Sequence, residues 1–242
     1  MRGYKRIQKN KAPVQLSTVG LPASVNWVTA GAVNAVQNQG SCGSCWAFST
    51  VASVEGAHQI ATGNLVKLSE QQLVDCSKNC DTLGDCNAGC NGGLMEVAFE
   101  YVIANGLEGE GVYGYTGLDG TCAYNASKVL ANISDYAVVT PQSIDALKAA
   151  VALGPVSVAI QANQLCFQFY TSGVLNNTKC GNNLDHGVAA VGYGTDSTTG
   201  LDYWLVRNSW GNTWGEAGYI RLAITAGDGI CGILDDPSYP IV

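Results

Sequence analysis

Cys42-Gly-Ser-Cys45 brings two thiols together at a spacing that suits half of a zinc site, a redox pair, or a structural cysteine beside a reactive one. No His-x₃-His follows, and no strand–helix alternation of the thioredoxin kind precedes it. Trp46-Ala-Phe48 instead opens a helical pattern with apolar residues at Ala47, Phe48, Val51, Ala52, Val54 and Ala57, closed by Gly63. Cys45 therefore falls at or near a helix N-terminus, where the helix dipole and free N–H groups favour a thiolate. A nucleophilic cysteine also needs a base, and the chain has only 2 histidines. His58 lies 13 residues beyond Cys45 on the same helix, about 20 Å along its axis at ~1.5 Å per residue, and is out of reach. His186, in Leu184-Asp-His-Gly-Val188 where a loop enters a strand, is the remaining candidate. Asn208 follows the strand Tyr203–Arg207 and precedes Ser209-Trp210. Its amide oxygen can accept an imidazole N–H and fix the tautomer, with an indole beside it to exclude water.

The elements that must position these residues divide the chain. The first half reads as helical. Ser69-Glu-Gln-Gln72 starts a helix with Ser69 as cap and Gln72 three residues on, and Leu94 to Ile103 continues the pattern until Asn105-Gly106. The second half reads as strands at Pro155–Ile160, Gly187–Tyr193, Tyr203–Arg207 and Tyr219–Ile224. Helices first and strands later imply an α+β fold of two lobes, with a substrate cleft between them.

Composition excludes several classes. With 242 residues, 47% apolar, 30 glycines and 13% charged, the chain can bury a core and make many turns. The most apolar stretch, Ala146–Ile160, carries Lys148 and breaks at Gly154-Pro155, so no membrane partner is expected. Residues 1–20 hold five of the 12 basic residues and no acid, which leaves 7 basic against 19 acidic residues in the remainder. Such a body does not bind nucleic acid by bulk charge. Ten cysteines suit a secreted or vesicular protein. Met1 is not followed by the apolar core of a secretory signal, so either residues precede it in the full protein or export uses another signal.

From about Leu21 to Val242 the chain resembles papain-like cysteine proteases, and cathepsin L-type members in particular. The resemblance is carried by Gln39-Gly-Ser-Cys-Gly-Ser-Cys-Trp-Ala-Phe-Ser49, Leu68-Ser-Glu-Gln-Gln-Leu-Val-Asp-Cys76 and Gly89-Cys-Asn-Gly-Gly-Leu-Met95. It continues through Asp185-His-Gly187, Arg207-Asn-Ser-Trp-Gly211, Trp214-Gly-Glu216, Gly218-Tyr-Ile220 and Tyr239-Pro240. Papain-like enzymes place the His and Asn about 130–150 residues after the cysteine. The separations here are 141 and 163 residues, the second lengthened by the polar loop Gly194–Asp202. The resemblance implies a helical lobe and a β-barrel lobe, with Cys45 as nucleophile and His186 as its proton partner. It makes Asn208 the residue that orients His186, and the Gln39 side chain with the Cys45 N–H the oxyanion hole. It implies no cofactor and no metal.

Family likeness also implies the bridges Cys42–Cys90, Cys76–Cys122 and Cys180–Cys231. A local Cys80–Cys86 bridge would close the expanded loop 77–89, leaving Cys45 free and Cys166 as a buried free thiol, with an intermolecular bridge as the alternative for Cys166. Gly43, Ser44, Asp185 and Trp210 would border the reacting bond. Gly92 and Gly93 would pair with extended substrate. Leu94, Met95, Ala159, Leu184 and Gly187 would line an apolar second subsite. Asp236 would stand at its floor, where it could attract Arg or Lys or swing out to solvent. No long cysteine-bracketed insertion lies between Gly93 and Cys122, which favours endopeptidase action over dipeptide trimming. A non-catalytic member would use the same cleft to bind proteins; the intact quartet of Gln39, Cys45, His186 and Asn208 favours the enzyme.

The expected layout is a pro-segment tail at 1–20, with Gly3-Tyr-Lys5 resembling its end, and a segment at 21–30 packed on the β lobe. The helical lobe is then 31–137 and the β lobe 138–242, whose C-terminal stretch crosses back. Expected partners are polypeptide substrates, the chain's own pro-segment and cystatin-like inhibitors, with a monomer in a lysosomal or vacuolar compartment or outside the cell. Asn125, Asn132 and Asn176 begin sequons that are usable if the protein is secreted.

Overall fold

The computed structural model describes Tyr4, residues 11–78, Cys80 and residues 84–242. Most of the expected pro-segment tail, residues 1–3 and 5–10, lies outside the described residues.

Strand β1 (Val25–Asn26) leads to helix α1 (Cys45–Thr62), helix α2 (Glu70–Cys76) and helix α3 (Met95–Asn105). Strands β2 (Leu107–Glu108), β3 (Val129–Ala131) and β4 (Asp135–Val138) precede helix α4 (Ile144–Leu153) and strand β5 (Val156–Ile160). Helix α5 (Leu165–Gln168), β6 (Val174–Leu175), β7 (His186–Thr195), β8 (Asp202–Arg207), β9 (Tyr219–Ala223) and β10 (Ser238–Ile241) complete the chain.

Helix α1 is buried all round from Cys45 to Gly56, as a helix lying between two packed layers must be. It stops at Gly63, whose φ of 79° is open to glycine without cost. Two buried serines tie it to the strands: Ser49 Oγ donates to the Val188 carbonyl at 2.7 Å, and Ser53 Oγ lies 3.0 Å from Ser157 Oγ. Ser69 caps α2 by accepting the Gln72 N–H. The Gln72 side chain does not return the bond. It spans to the Tyr101 hydroxyl, the Gly106 carbonyl and the Glu108 N–H, because the Ser69 N–H is already held by the Glu108 carbonyl.

Eight strands form one sheet in the order β4-β10-β5-β7-β8-β9-β6, with β1 added to β7. All of its pairings are antiparallel except β6 with β9. The expected barrel is an open sheet: among the described strands, β4 and β6 at its two ends do not pair with each other. The position taken for the lobe boundary, 137/138, falls inside β4. Helix α4 fills the apolar stretch before Gly154-Pro155. It is capped by Ser143, whose hydroxyl accepts the Ala146 N–H, and the strand reading of the second half passed over it.

Each layer has its own core. Leu147, Val158, Phe167, Trp204 and Ile220 centre the sheet lobe, and Trp46, Leu73, Phe99 and Leu107 centre the helical one. Residues 11–14 of the leading segment lie on the sheet edge, where Val14 bridges Val139 and Lys11 pairs with Asp135.

Candidate active site

Cys45 is the first residue of α1 and His186 the first of β7, so the two layers meet start to start at the chemistry. The approach is close. A Cβ on Gly187 would lie 3.1 Å from Met95 Sδ and 3.3 Å from the Cys45 carbonyl oxygen. Glycine at that position lets β7 lie against the helix start. Cys45 is 1% exposed and His186 3%.

His186 Nε2 lies 2.7 Å from Asn208 Oδ1. That oxygen also accepts the Ser209 N–H at 2.8 Å, which fixes which end of the amide faces the ring. An amide oxygen only accepts, so Nε2 carries the hydrogen, and Nδ1 keeps the lone pair that can exchange a proton with a thiol. Trp210 covers the ring at 5.0 Å between centroids, and Phe167 meets it edge-on at 6.4 Å.

Gln39 is 1% exposed and held at every polar atom except one hydrogen. Its N–H donates to the Ser209 carbonyl, its carbonyl accepts from Tyr115 Oη, and its side-chain oxygen accepts from Ser209 Oγ at 2.7 Å. One Nε2 hydrogen goes to the Cys42 carbonyl at 2.9 Å. The second has no partner among the described residues. Ser44 Oγ lies 2.6 Å from Tyr115 Oη, and the Gly43 N–H donates to the Cys90 carbonyl.

The expected subsite residues also converge. Leu94, Met95, Ala159 and Leu184 belong to one buried cluster. Gly187 packs against Met95. Asp185 Oδ1 accepts the Ala162 N–H at 2.7 Å. Gly92 has a φ of 109°, and Leu94 donates its N–H to Asn87 Oδ1 at 2.7 Å. Asp236 is 4% exposed, so the alternative in which it swings out to solvent is not the arrangement seen. Tyr4, 4% exposed, is buried in the same cluster as Leu94, Met95, Ala159 and Leu184.

The family model described as papain family cysteine protease matches residues 21–241. The chain belongs to the papain family. Cysteine protease 1 of Oryza sativa subsp. japonica is 53% identical over 226 residues, covering 91% of this chain and 45% of the relative. The chain spans about half the length of several curated relatives it matches. Among solved structures, the bromelain protease from Ananas comosus, in complex with an inhibitor, superposes with a TM-score of 0.83 at 44% identity, over 92% of this chain and 100% of that one. Digestive procathepsin L 3 of Tenebrio molitor larval midgut superposes with a TM-score of 0.89 at 41% identity, over 100% of this chain and 76% of that one.

In this papain-family chain the sulfurs pair as Cys42–Cys90, Cys76–Cys122, Cys80–Cys86 and Cys180–Cys231. Cys42 is therefore committed to a bridge, which removes the zinc and redox readings of the CxxC. Cys45 and Cys166 are free, and Cys166 is partly exposed, not buried as expected. It sits on the single-turn helix α5, which buries only Phe167, while Leu165 beside it is 70% exposed.

Burial dominates the electrostatics of this papain-family site. It pushes the Cys45 thiol up to about 11, helped by the Asp185 charge and opposed by the N–H groups of Gly187 and Trp46. Those two N–H groups place the sulfur at the start of both α1 and β7. Burial likewise takes His186 down to about 4, against the bond to Asn208. A lone charge on either group is disfavoured, and a proton passed from Sγ to the ring creates both charges together. Burial also raises Asp236 to about 7.

Sequence reasoning missed Ser209 and Tyr115, which hold Gln39, and Phe167, which flanks His186. Ser209 sits inside the quoted Asn-Ser-Trp run. Tyr115 and Phe167 lie far from any motif and carry no local signal. Tyr4 was read only as part of a tail.

Proposed function

We propose that the chain is a cysteine endopeptidase that hydrolyses peptide bonds through Cys45, His186 and Asn208. The observation that carries this is the His186 Nε2 to Asn208 Oδ1 bond of 2.7 Å, which leaves Nδ1 as base, combined with a free Cys45 at the start of α1.

The Cys45 proton moves to His186 Nδ1, and the thiolate adds to the scissile carbonyl. The oxyanion is met by the remaining Gln39 Nε2 hydrogen and the Cys45 N–H, which lacks a helical partner at the first turn. His186 returns its proton to the leaving amine, and the C–N bond breaks to leave a thioester. Water then gives a proton to His186 and adds to the thioester. Collapse of that adduct expels the sulfur and yields a carboxylic acid. Asn208 keeps the ring in one tautomer throughout. Gly43, Ser44, Asp185 and Trp210 border the reacting bond, and extended substrate pairs with Gly92 and Gly93 as an added strand.

The second subsite takes an apolar side chain among Leu94, Met95, Ala159, Leu184 and Gly187. Asp236 at its floor adds tolerance for Arg or Lys once it ionises, which burial delays to about pH 7. Tyr4 occupies this subsite in the present chain, so the leading segment acts as an internal inhibitor. Its burial with the subsite residues supports that reading, as does the likeness of the chain to a procathepsin. Cystatin-like inhibitors would compete for the same cleft of a monomer. An acidic vacuole or the cell exterior fits four bridges and a net charge of −7.

Hydrolysis of a fluorogenic peptide library tests the reading. Wild-type chain freed of its leading segment is expected to cut after pairs with an apolar second-position residue, and Cys45→Ala and His186→Ala to cut nothing. Cleavage surviving Cys45→Ala overturns it. For the floor residue, Asp236→Ala is expected to remove cleavage of second-position Arg peptides above pH 7 while sparing Leu peptides.

A further inference from the structure

Arg207 ends strand β8 one residue before Asn208, and it is 3% exposed. Its Nη2 donates to the Ala35 carbonyl at 2.8 Å, and its guanidinium also bonds the side chain of Tyr219, its neighbour on β9. Among the described residues Nε has no partner and no carboxylate pairs with the guanidinium. The surroundings are apolar: Ala189 lies opposite on β7 and packs with Ala52 of α1, Val191, Leu205 and Tyr219. A cation buried without an acid gives up hydration that one carbonyl and one hydroxyl only partly replace. Apolar residues of similar volume are often as stable in such places. Stability gives no reason for arginine here, and the bond to Ala35 points to another.

Ala35 begins the short segment that ends at Gln39. Two backbone bonds hold the downstream part of that segment against the residues after Asn208. The Gln39 N–H donates to the Ser209 carbonyl at 2.9 Å, and the Gly211 N–H donates to the Gln37 carbonyl at 3.0 Å. Asn38 and Trp210 form a β-bridge between them. Among the described residues no backbone bond of this kind reaches residues 35 and 36. The hydrogen bond there comes from the Arg207 side chain. One guanidinium thus joins the strand that leads into Asn208 to the segment that leads into Gln39.

We infer that Arg207 is a positioning residue for the oxyanion hole, fixing the upstream end of the segment 35–39 and so aiming the Gln39 amide. The inference rests on the peptidase reading above. With Arg207 in place the segment is tied on both sides of Val36. Without it, residues 35 and 36 are free to shift and to carry Gln39 with them. Donors aimed at a developing charge are sensitive to displacements of about 1 Å. Arginine suits the task because its planar fork serves two acceptors in fixed directions, where lysine offers a point charge on a flexible stem.

The test uses the full chain, with every rate expressed per Cys45 that accepts an epoxide label, so that sites blocked by the leading segment drop out. Arg207→Met is expected to lower kcat/KM for a peptide about tenfold. Alkylation of Cys45 by iodoacetamide forms no oxyanion, and its rate is expected to stay within about twofold of wild type. Arg207→Lys keeps one donor but loses the fork, and is expected to lose about threefold in kcat/KM. In a Gln39→Ala background there is no amide to aim, so either substitution is expected to cost little more. Three results overturn the inference: no loss in any folded Arg207 variant, the same loss with and without the Gln39 amide, or alkylation that falls as far as hydrolysis. If Arg207→Met does not fold, the same cycle run with Arg207→Lys decides by the same criteria. Wild-type protein that neither takes up label nor cuts the peptide overturns the peptidase reading, and this inference with it.

Discussion

Gln39 has the most constrained side chain in the site. Ser209 Oγ and the Cys42 carbonyl hold its amide so that one hydrogen faces the cleft. Gln39→Ala removes that donor and is expected to lower turnover by about 10²–10³, with alkylation of Cys45 retained. Ser209→Ala frees the amide to turn and is expected to lower turnover less, with KM nearly unchanged; steady-state kinetics separates the two. At this scale the sequence was most readable where chemistry restricts the residue type. Two histidines and one free helix-start cysteine left little choice, whereas Tyr115 and Phe167 reach the site through tertiary packing that no local pattern records. Cys166 shows the converse. A free cysteine is expected to be buried, but a single-turn helix has an outer side, and Cys166 is partly exposed.

Helix α1 and strand β7 carry the catalytic pair on opposite sides of one contact, and Gly187 sets how near they come. Gly187→Ala is expected to separate the sulfur from the ring and to cost activity well before it costs folding; activity compared with the unfolding midpoint checks this. The inhibitory role proposed for the leading segment belongs to this scale too. Tyr4 is buried in the same cluster as the subsite residues, and Cys45 is 1% exposed. Tyr4→Ala is expected to speed iodoacetamide capture of Cys45 in the intact chain at least severalfold. An unchanged rate would show that Tyr4 does not seal the site. Helices α1, α2 and α3 were legible because their end signals are local: Gly63 and Gly106 stop α1 and α3, and Ser69 caps α2. Helix α4 was not, since its run of alanines and leucines satisfies strand and helix patterns alike. Nor was the open edge of the sheet, where the partner of β4 is β10, about a hundred residues away in sequence.

At the scale of the whole molecule, buried acids tune stability to pH. Burial lifts Asp236 to about 7. It does the same to Glu70, although Lys67 Nζ lies 2.8 Å from the Glu70 carboxylate and pulls the other way. A carboxyl whose folded value lies above its unfolded one binds its proton more tightly in the native state. Its contribution is complete below about pH 4 and is lost as pH rises toward 7. Thermal unfolding is therefore expected at higher temperature near pH 4.5 than near pH 7.5, and Asp236→Asn is expected to flatten that slope. A body with a net charge of −7 and both layers packed on one helix has reason to be most stable where its acids are partly neutral. The central claim is that Cys45 is the nucleophile. The most direct measurement is mass mapping of the chain, freed of its leading segment, after treatment with an epoxide thiol-protease inhibitor. The account predicts one equivalent on Cys45, abolished by His186→Ala and absent from Cys166. Label on Cys166 alone, or none on folded protein, would contradict it.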